Sequence, residues 1–170
     1  MKLIWNPALT LDGYIAKIDG DSDWVSDEDG EAFWKLIQQS GCVIVGRTTY
    51  EQYKGDVFPV PGATTFVQTS RMDGTEPQEG VEFVTSSPQE LISILEQRGF
   101  TQAVLAGGGE TNSRFAAAGL VDEIIANVYP MIFGDGIKLL SGCALKLELL
   151  DVQQLPGGIV QHHYKVVKQP

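Results

Sequence analysis

A chain of 170 residues with 43% hydrophobic and 20% charged residues can bury a sizeable core, and we predict one domain over residues 1–170. Its 22 acidic and 12 basic residues give a net charge of −10, which argues against a surface that binds nucleic acid or an anionic membrane. The absence of a secretory leader and of a long apolar run predicts a cytoplasmic protein. Cys42 and Cys143 lie in apolar contexts without metal-ligand spacing, so we expect reduced thiols and no metal site.

In chain order, short apolar segments alternate with helical patterns. Strands are predicted at residues 3–9, 14–16, 42–45, 63–68, 81–84, 104–106, 121–129, 144–155 and 159–167. Ser26 and Ser87 are suitable N-caps of helices, and Gly41 and Gly119 are suitable helix ends. The alternation indicates an α/β fold with a largely parallel sheet, and the turn Pro156-Gly157-Gly158 predicts a C-terminal antiparallel hairpin.

Three consecutive glycines, Gly107, Gly108 and Gly109, end one apolar run and precede a helical pattern. Glycine allows positive φ and leaves the backbone bare, so a ligand can approach it closely. The helix that follows offers unpaired N–H groups and the positive end of its dipole, which together favour a phosphate group. A tight turn that needs glycine for its own backbone is the alternative interpretation.

Two further turns, Gly46-Arg47-Thr48-Thr49 and Thr69-Ser70-Arg71, also follow predicted strands. In open α/β sheets the ligand lies beyond the carboxyl ends of the strands, so we expect all three turns to share one site. If the strands before Gly46 and Gly107 are neighbours, two helix N-termini face a single diphosphate. The hydroxyls and guanidinium of the third turn suit a further phosphate. Together the turns indicate a dinucleotide with a phosphate on its ribose, namely NADP(H).

Seven segments of the sequence carry a resemblance to a known family. They are Thr10-Leu11-Asp12-Gly13, Ile15-Ala16, Ser22-Asp23-Trp24, Gly46-Arg47-Thr48-Thr49-Tyr50, Gly107-Gly108-Gly109, Leu120-Val121-Asp122-Glu123 and Pro130-Met131-Ile132-Phe133-Gly134-Asp135-Gly136. In this order they resemble the dihydrofolate reductase-like superfamily, and most closely the reductase domain of riboflavin biosynthesis, the pyrimidine reductase. The resemblance implies a three-layer fold with a central, mostly parallel mixed sheet and a C-terminal antiparallel β-hairpin. It also implies a homodimer, because dimers are common in that branch.

The resemblance further implies roles for individual residues. The diphosphate of NADP(H) would contact Gly46, Arg47, Thr48, Thr49, Gly107, Gly108, Gly109, Glu110 and Thr111. The segment Thr69-Ser70-Arg71 would hold the adenosine ribose and its 2′-phosphate. Ala8 and Ile15 would line the nicotinamide, while Asp12 and Trp24 would border the substrate pocket.

Two acids are candidates for supplying or placing the proton that a hydride transfer requires. Asp12 belongs to an Asp-Gly turn, and Asp29 stands five residues after Trp24, roughly where dihydrofolate reductases carry their single acid. Each has a structural alternative, since Asp12 can stabilise its own turn and Asp29 can be a helix-terminus acid. His162 and His163, on the last predicted strand, have no local partner and are expected to be structural or solvent-facing.

The segment after the turn at Gly46 departs from the pyrimidine reductase pattern. An Asp-Pro-containing segment that helps to bind the ribityl phosphate is usual there, but residues 50–55 are Tyr-Glu-Gln-Tyr-Lys-Gly, which is nearer to dihydrofolate reductase. Three functions therefore stay open. They are an NADPH-dependent reductase of a small heterocycle, a dihydrofolate or pterin reductase proper, and an NADP-binding domain without turnover.

Overall fold

The computed structural model describes residues 1–76 and 78–168 of the chain. Its strands are β1 (Lys2–Trp5), β2 (Ala8–Thr10), β3 (Tyr14–Ala16), β4 (Cys42–Gly46), β5 (Thr64–Gln68), β6 (Val81–Val84), β7 (Gln102–Gly107), β8 (Glu123–Tyr129), β9 (Ile137–Lys138), β10 (Lys146–Gln154) and β11 (Val160–Val167). Its helices are α1 (Asp27–Ser40), α2 (Arg47–Gln52), α3 (Pro88–Gln97) and α4 (Gly109–Ala117), with a 3-10 turn at Pro156–Gly158. The segments predicted as strands from the sequence therefore all contain strands.

One sheet of the described chain contains nine strands in the order β10-β11-β8-β1-β7-β4-β5-β6, and β2 pairs with β8 as well. The pairs β2–β8, β8–β1, β1–β7, β7–β4, β4–β5 and β5–β6 are parallel, while β8–β11 and β11–β10 are antiparallel. This arrangement confirms the predicted α/β fold, its mostly parallel mixed sheet and its C-terminal hairpin. The carboxyl ends of β1, β4, β5 and β7 meet at one edge of the sheet, where a ligand is expected.

Helices cover both faces of this sheet and give three layers. Val43 and Ile44 are consecutive residues of β4, so their side chains point to opposite faces. Val43 packs in a cluster with Ile37 of α1, and Ile44 packs in a second cluster with Leu91 of α3 and Phe115 of α4. Burying one such side chain completely stabilises the fold by about 1.5–3 kcal/mol. In the ranges that the structure describes, no helix is both long and apolar enough to cross a membrane.

The ends of α1 and α3 confirm the caps predicted from the sequence. Ser26 Oγ accepts a hydrogen bond from the Asp29 amide at 3.3 Å, and Gly41 ends α1 with a φ of 78°. At α3, the side chain of Glu90 and the amide and hydroxyl of Ser87 form a reciprocal capping box. Fixing the start of α1 has a consequence for the site, because it places the side chain of Asp29 in the first turn of that helix.

The prediction of a single strand at residues 3–9 is wrong, because Asn6 and Pro7 interrupt it and divide it into β1 and β2. Proline has no N–H group and cannot continue the hydrogen-bonding ladder of a central strand. The carbonyl of Pro7 instead accepts a hydrogen bond from the Asn127 amide at 2.9 Å. The break lets β1 lie between β7 and β8 while β2 runs along β8 alone, which brings Ala8 beside Asn127.

Candidate active site

A large open cleft lies at the carboxyl ends of β1, β4, β5 and β7, where the α/β fold predicts a ligand. Its volume is about 1880 Å³. Of the residues that the sequence assigns to the cofactor diphosphate and ribose phosphate, 46–49, 69–71 and 108–111 line the cleft, whereas Gly107 does not. Residues 5–8 and much of the segment from residue 15 to residue 34 complete the lining. The structure thus brings together the three turns that the sequence could only connect by inference.

The two glycine turns pack directly against each other, because β4 and β7 are parallel neighbours. A Cβ atom at Gly46 would lie 2.4 Å from Thr111 Oγ1, and one at Gly108 would lie 2.8 Å from Thr49 Oγ1. A side chain at either position would force the facing threonine side chain to move. Gly107 has a φ of 102°, which other residues rarely adopt, and the Gly107–Gly108 peptide bond is cis. The packing of the turns is therefore a sufficient reason for these glycines, alongside any ligand.

The N-terminus of α4 lies at the junction of the two turns. Gly108 is its N-cap and supplies no side-chain hydrogen bond, so the first-turn N–H groups of the helix carry no side-chain cap. Asn112, which is 2% exposed, also lines the cleft, and its Oδ1 has no hydrogen-bond partner among the described residues. Leaving such an acceptor unpaired costs about 1–3 kcal/mol. This helix end therefore offers donors that suit a phosphate and one buried acceptor that suits a hydroxyl or amide group.

The third turn is shaped by its own hydrogen bonds and by Arg47. Thr69 Oγ1 donates to the carbonyl of Arg71 at 2.8 Å. The Arg47 guanidinium donates to the carbonyls of Arg71 and Asp73 at 3.3 and 3.0 Å, and its Nε donates to Glu51 at 2.6 Å. The side chain of Arg71 is 71% exposed, with Asp73 3.6 Å away. Arg47 thus uses its donors to hold the loop, whereas the Arg71 guanidinium is largely open to solvent and lines the cleft.

Asp29 lies on the wall of the cleft and is 8% exposed. Asn127 Nδ2 donates to one carboxylate oxygen at 2.5 Å, and the Tyr129 hydroxyl donates to the other at 2.9 Å. The amide of Ser26 donates to the Tyr129 oxygen at 3.0 Å, which fixes the ring. Burial raises the pKa of Asp29 above its ordinary value, against the opposing effect of the hydrogen bonds from Tyr129 and Asn127. Asp29 is at a helix terminus, as the structural interpretation stated, but it is also a buried acid on the cleft.

Asp12 is exposed and does not line the cleft. Its carboxylate accepts hydrogen bonds from the Thr10 hydroxyl at 2.6 Å and from the amides of Phe133 and Gly134 at 3.2 and 2.7 Å. The pKa of Asp12 is lowered, chiefly by the hydrogen bond from Thr10. Burial opposes this effect, and the two amides add to it. These contacts agree with the interpretation that Asp12 stabilises its own turn, and they also connect that turn to the loop after β8.

The other predicted residues divide between the cleft and its supports. Ala8 and Ile15, predicted to line the nicotinamide, both line the cleft. Trp24, predicted to border the substrate, does not. Its ring packs edge-to-face on Tyr129 and Phe133, with centroids 5.0 and 5.6 Å apart. Trp24 therefore supports the tyrosine that donates to Asp29, from behind the cleft wall.

Comparisons with known proteins identify the family. The profile of the RibD C-terminal domain family matches residues 1–57 and 52–161. The chain belongs to this family. It is 35% identical over 164 residues to uncharacterized protein YwjB of Bacillus subtilis, which covers 92% of this chain and 93% of that protein. Uncharacterized protein YyaP of the same organism is 22% identical over 177 residues.

Solved structures agree with this membership of the RibD C-terminal domain family. The fold is similar to a putative riboflavin biosynthesis protein from Shewanella sp. PV-4, with a TM-score of 0.82, 25% identity, and coverage of 98% of this chain and 99% of that one. A diaminohydroxyphosphoribosylaminopyrimidine deaminase/5-amino-6-(5-phosphoribosylamino)uracil reductase from Thermotoga maritima has a TM-score of 0.77 at 21% identity. The match covers 98% of this chain and 56% of that one, and shows the fold alone. The resemblance stated from the sequence is confirmed.

Long-range contacts of Asp29 and of His163 in this RibD C-terminal domain were missed from the sequence. Asn127 and Tyr129 hold Asp29 across roughly a hundred residues, and the only local sign is a polar Asn in an apolar strand. His163 has no partner nearby in the sequence, as expected, but its Nε2 lies 2.9 Å from a carboxylate oxygen of Glu123, 40 residues away. That partner comes from the neighbouring strand β8, which local spacing cannot show.

Charge is divided across the cleft. Arg47, Arg71 and Arg114 line it from the turns and from α4, where Glu51, Asp56 and Glu110 also line it. Between residues 15 and 34, in contrast, each charged residue that lines the cleft is acidic: Asp19, Asp21, Asp23, Asp27, Asp29 and Glu31. Asp21 is paired with Lys17 at 2.5 Å. The side with the three arginines therefore suits an anionic ligand better than the side between residues 15 and 34, where acids are not balanced by lining bases.

Proposed function

We propose that this protein is an NADPH-dependent reductase that transfers hydride to a small heterocycle of pyrimidine or pterin type. Membership of the RibD C-terminal domain family supports an oxidoreductase, as does the similarity to a structure named a riboflavin biosynthesis protein. The observation that carries the proposal is the junction of two glycine turns, which places the N-terminus of α4 on a cleft beyond neighbouring parallel strands. Such a junction is suited to a diphosphate.

The residues present fit NADPH in their chemistry. We assign the diphosphate to the turns at residues 46–49 and 107–111, whose amides and threonine hydroxyls are donors. Arg71, with the hydroxyls of Thr69 and Ser70, would hold the 2′-phosphate, and Ala8 and Ile15 would lie against the nicotinamide. When bound, NADPH supplies the hydride, so the chain has to bind, orient and exclude water.

Asp29 is the acid that we propose for the substrate side of the cleft. Its carboxyl group is buried, lines the cleft and is held at both oxygens by Asn127 and Tyr129. In its ionised form it can accept a hydrogen bond from a ring N–H, and in its protonated form it can donate to a ring nitrogen. A raised pKa makes the protonated form accessible at higher pH than for an ordinary aspartate. Asp12 remains the alternative from the sequence, although it does not line the cleft.

The substrate that we propose carries no phosphate. The wall around Asp29 is acidic, and like charges at short range repel an anion. The segment at residues 50–55 also departs from the pattern that helps to bind a ribityl phosphate in pyrimidine reductases. A neutral or cationic heterocycle fits this wall better than a phosphate ester.

A paired-ligand experiment tests the proposal. The purified protein, saturated with NADPH, is mixed with 5-amino-6-(5-phosphoribosylamino)uracil or with the same compound lacking its phosphate, and then with dihydrofolate and dihydropterin. Melting temperature reports binding, and loss of NADPH absorbance reports turnover. We expect turnover with a compound lacking phosphate. Tighter binding and faster turnover of the phosphorylated member would refute the charge argument, and NADPH binding without any turnover would favour a binding domain.

We further propose that residues 1–170 act as one domain and that two copies form a homodimer through the hairpin of β10 and β11. The side chains of Leu147, Leu149 and Val152 on the edge strand β10 are 39–54% exposed and share one face. An exposed apolar edge strand usually has a partner in a soluble protein. Light scattering should give a dimer mass, and Leu149→Glu should give a folded monomer. A wild-type monomer at high concentration would contradict the proposal.

A further inference from the structure

A row of three amide side chains crosses three neighbouring strands and ends at the buried acid. Ala8 of β2, Asn127 of β8, Gln161 of β11 and Gln153 of β10 are register partners, so they lie side by side across the sheet. Side chains of register partners in neighbouring strands project from the same face. The three amide-bearing residues of the row thus share the face on which Asp29 of α1 lies against Asn127.

Hydrogen bonds connect these amides in a single direction. Gln153 Nε2 donates to Gln161 Oε1 at 2.7 Å, Gln161 Nε2 donates to Asn127 Oδ1 at 2.8 Å, and Asn127 Nδ2 donates to Asp29 Oδ1 at 2.5 Å. A primary amide has a donor end and an acceptor end. Because the donor of Gln161 occupies the acceptor end of Asn127, the donor end of Asn127 is left facing the carboxylate.

We propose that Gln161 is a positioning residue for the active-site acid: it fixes the amide of Asn127 so that Nδ2, and not Oδ1, faces Asp29. The inference rests on the proposed function for the role of Asp29, but the orientation itself does not depend on it. A reversed amide would place a carbonyl oxygen against a carboxylate oxygen, which is repulsive and would leave both acceptors unpaired in a site where Asn127 is 3% exposed.

The chain of hydrogen bonds from Gln153 through Gln161 and Asn127 to Asp29, called the relay below, sets how readily Asp29 ionises. A hydrogen bond donated to the charged form of a carboxyl group stabilises that form and lowers its pKa. Burial already raises the pKa of Asp29, and the donor from Asn127 limits that rise together with Tyr129. Without Gln161, the amide of Asn127 is held by Asp29 alone, so its hydrogen bond to the carboxylate is weaker and opposes the rise in the pKa of Asp29 less.

Other charged groups also affect the pKa of Asp29, so the test has to keep them unchanged. Tyr129 of β8 is the titratable group that contacts Asp29. The charged and titratable residues around Asp29 are Lys17, Asp19, Asp21 and Asp23 of the loop before α1, Asp27, Glu28, Glu31 and Lys35 of α1, Lys2 of β1, Glu123 of β8, Lys146, Glu148 and Asp151 of β10, and His162, His163, Tyr164 and Lys165 of β11. Glu123 of β8 is paired with both Lys2 of β1 and His163 of β11. The substitutions that test the relay leave all of these groups in place.

The test measures the titration of Asp29 in the free protein by carbon-detected NMR of its carboxyl group, assigned by the signal that Asp29→Asn removes. Gln161→Leu deletes the donor without adding charge, and Gln161→Glu keeps the shape but offers an acceptor to Asn127. Gln154→Leu is the control, because Gln154 follows Gln153 on the edge strand β10 and its side chain lies on the opposite face of the sheet from the amides of Gln153 and Gln161. We expect both substitutions at Gln161 to raise the pKa of Asp29 by about one unit, and the control to leave it unchanged.

Each outcome decides the inference. A folded Gln161→Leu protein with an unchanged pKa of Asp29 overturns it, and so does a shift seen with Gln161→Glu alone, which would report only the added charge. If Gln161→Leu does not fold, Gln153→Leu removes the outer donor, and its effect on Asp29 should have the same sign and a smaller size; no shift overturns the relay. Since the titration needs neither cofactor nor substrate, a failure of the proposed reductase activity leaves this result standing.

Discussion

The contact between Gly46 and Thr111 allows a sharp test of the junction of the two glycine turns. Gly46 has ordinary extended backbone angles, with φ −74° and ψ 149°, so alanine is not strained there by its backbone. Its Cβ would lie 2.4 Å from Thr111 Oγ1, roughly 1 Å inside an ordinary contact. Overpacking of this kind costs about 1–3 kcal/mol. We therefore expect Gly46→Ala to lower Tm by several degrees, since about 1 kcal/mol corresponds to about 2–4 °C in a protein of this size.

A second substitution shows whether the clash is the cause. Thr111→Ala removes the Oγ1 atom, after which the Cβ at residue 46 meets the Thr111 Cβ and the Gly107 carbonyl oxygen, each at an ordinary 3.5 Å. Gly46→Ala combined with Thr111→Ala should thus be more stable than the sum of the two single effects predicts, by about 1 kcal/mol or more. Gly30→Ala is the control, because a Cβ there meets nothing within 4 Å and the residue lies inside α1. It should raise stability by about 0.5–1 kcal/mol.

Chemical denaturation of the four proteins of the cycle, with and without NADPH, supplies the measurement. Separating the turns misplaces donors from two helices at once, so NADPH affinity of Gly46→Ala should fall about tenfold or more. Recovery of stability in the double variant should exceed recovery of affinity, since Thr111 is itself assigned to the cofactor. Additive effects on stability, or a Gly46→Ala protein as stable as the wild type, would refute the close packing of the two turns.

Three further predictions concern single charged residues. Arg71→Ala should weaken NADPH binding about tenfold, which is the low end for a hydrogen bond to a charged group, because the side chain is exposed. Calorimetry should show that its affinity for NADH is unchanged, and equal losses for both cofactors would contradict the 2′-phosphate assignment. Asp12→Asn should lower Tm while turnover per folded molecule stays intact. Because the pKa of Asp12 is lowered by its turn, the difference in Tm from wild type should disappear as pH falls below the usual aspartate range. Asp29→Asn should have the opposite pH dependence. The pKa of Asp29 is raised on folding, so ionisation of Asp29 destabilises the fold. The Tm of the variant should therefore rise relative to that of wild type as pH increases above the usual aspartate range.

The segments that surround the cleft could be predicted from the sequence because their signals are local. A strand that ends in glycine and is followed by a helical pattern is visible within ten residues, and the order of such units fixes where their ends meet in a parallel sheet. The reason for the glycines was less accessible. The sequence suggested a ligand near bare backbone, whereas Gly46 and Gly108 are also required by Thr111 and Thr49. That requirement exists only because β4 and β7 are neighbours.

The environment of Asp29 shows what local patterns leave out. An acid in the first turn of a helix is expected on grounds of the dipole alone, so its position carries no sign of function. Its donors come from β8, and the orientation of the nearer donor is set from β11 and β10. Likewise, two arginines that look equivalent in the sequence differ in the fold, because Arg47 meets the carbonyls of a loop and Arg71 does not.

The ionisation of Asp29 is a balance that a bound heterocycle would shift. The helix dipole, Asn127 and Tyr129 all favour the carboxylate, yet burial outweighs the two hydrogen bonds and leaves the pKa raised. A ligand that donates a ring N–H to the free lone pairs would lower the pKa again, while one that only excludes water would raise it further. The pH dependence of binding therefore distinguishes the two. A ligand recognised through its N–H group should bind more tightly above the pKa of Asp29, and a ligand protonated by Asp29 should bind more tightly below it.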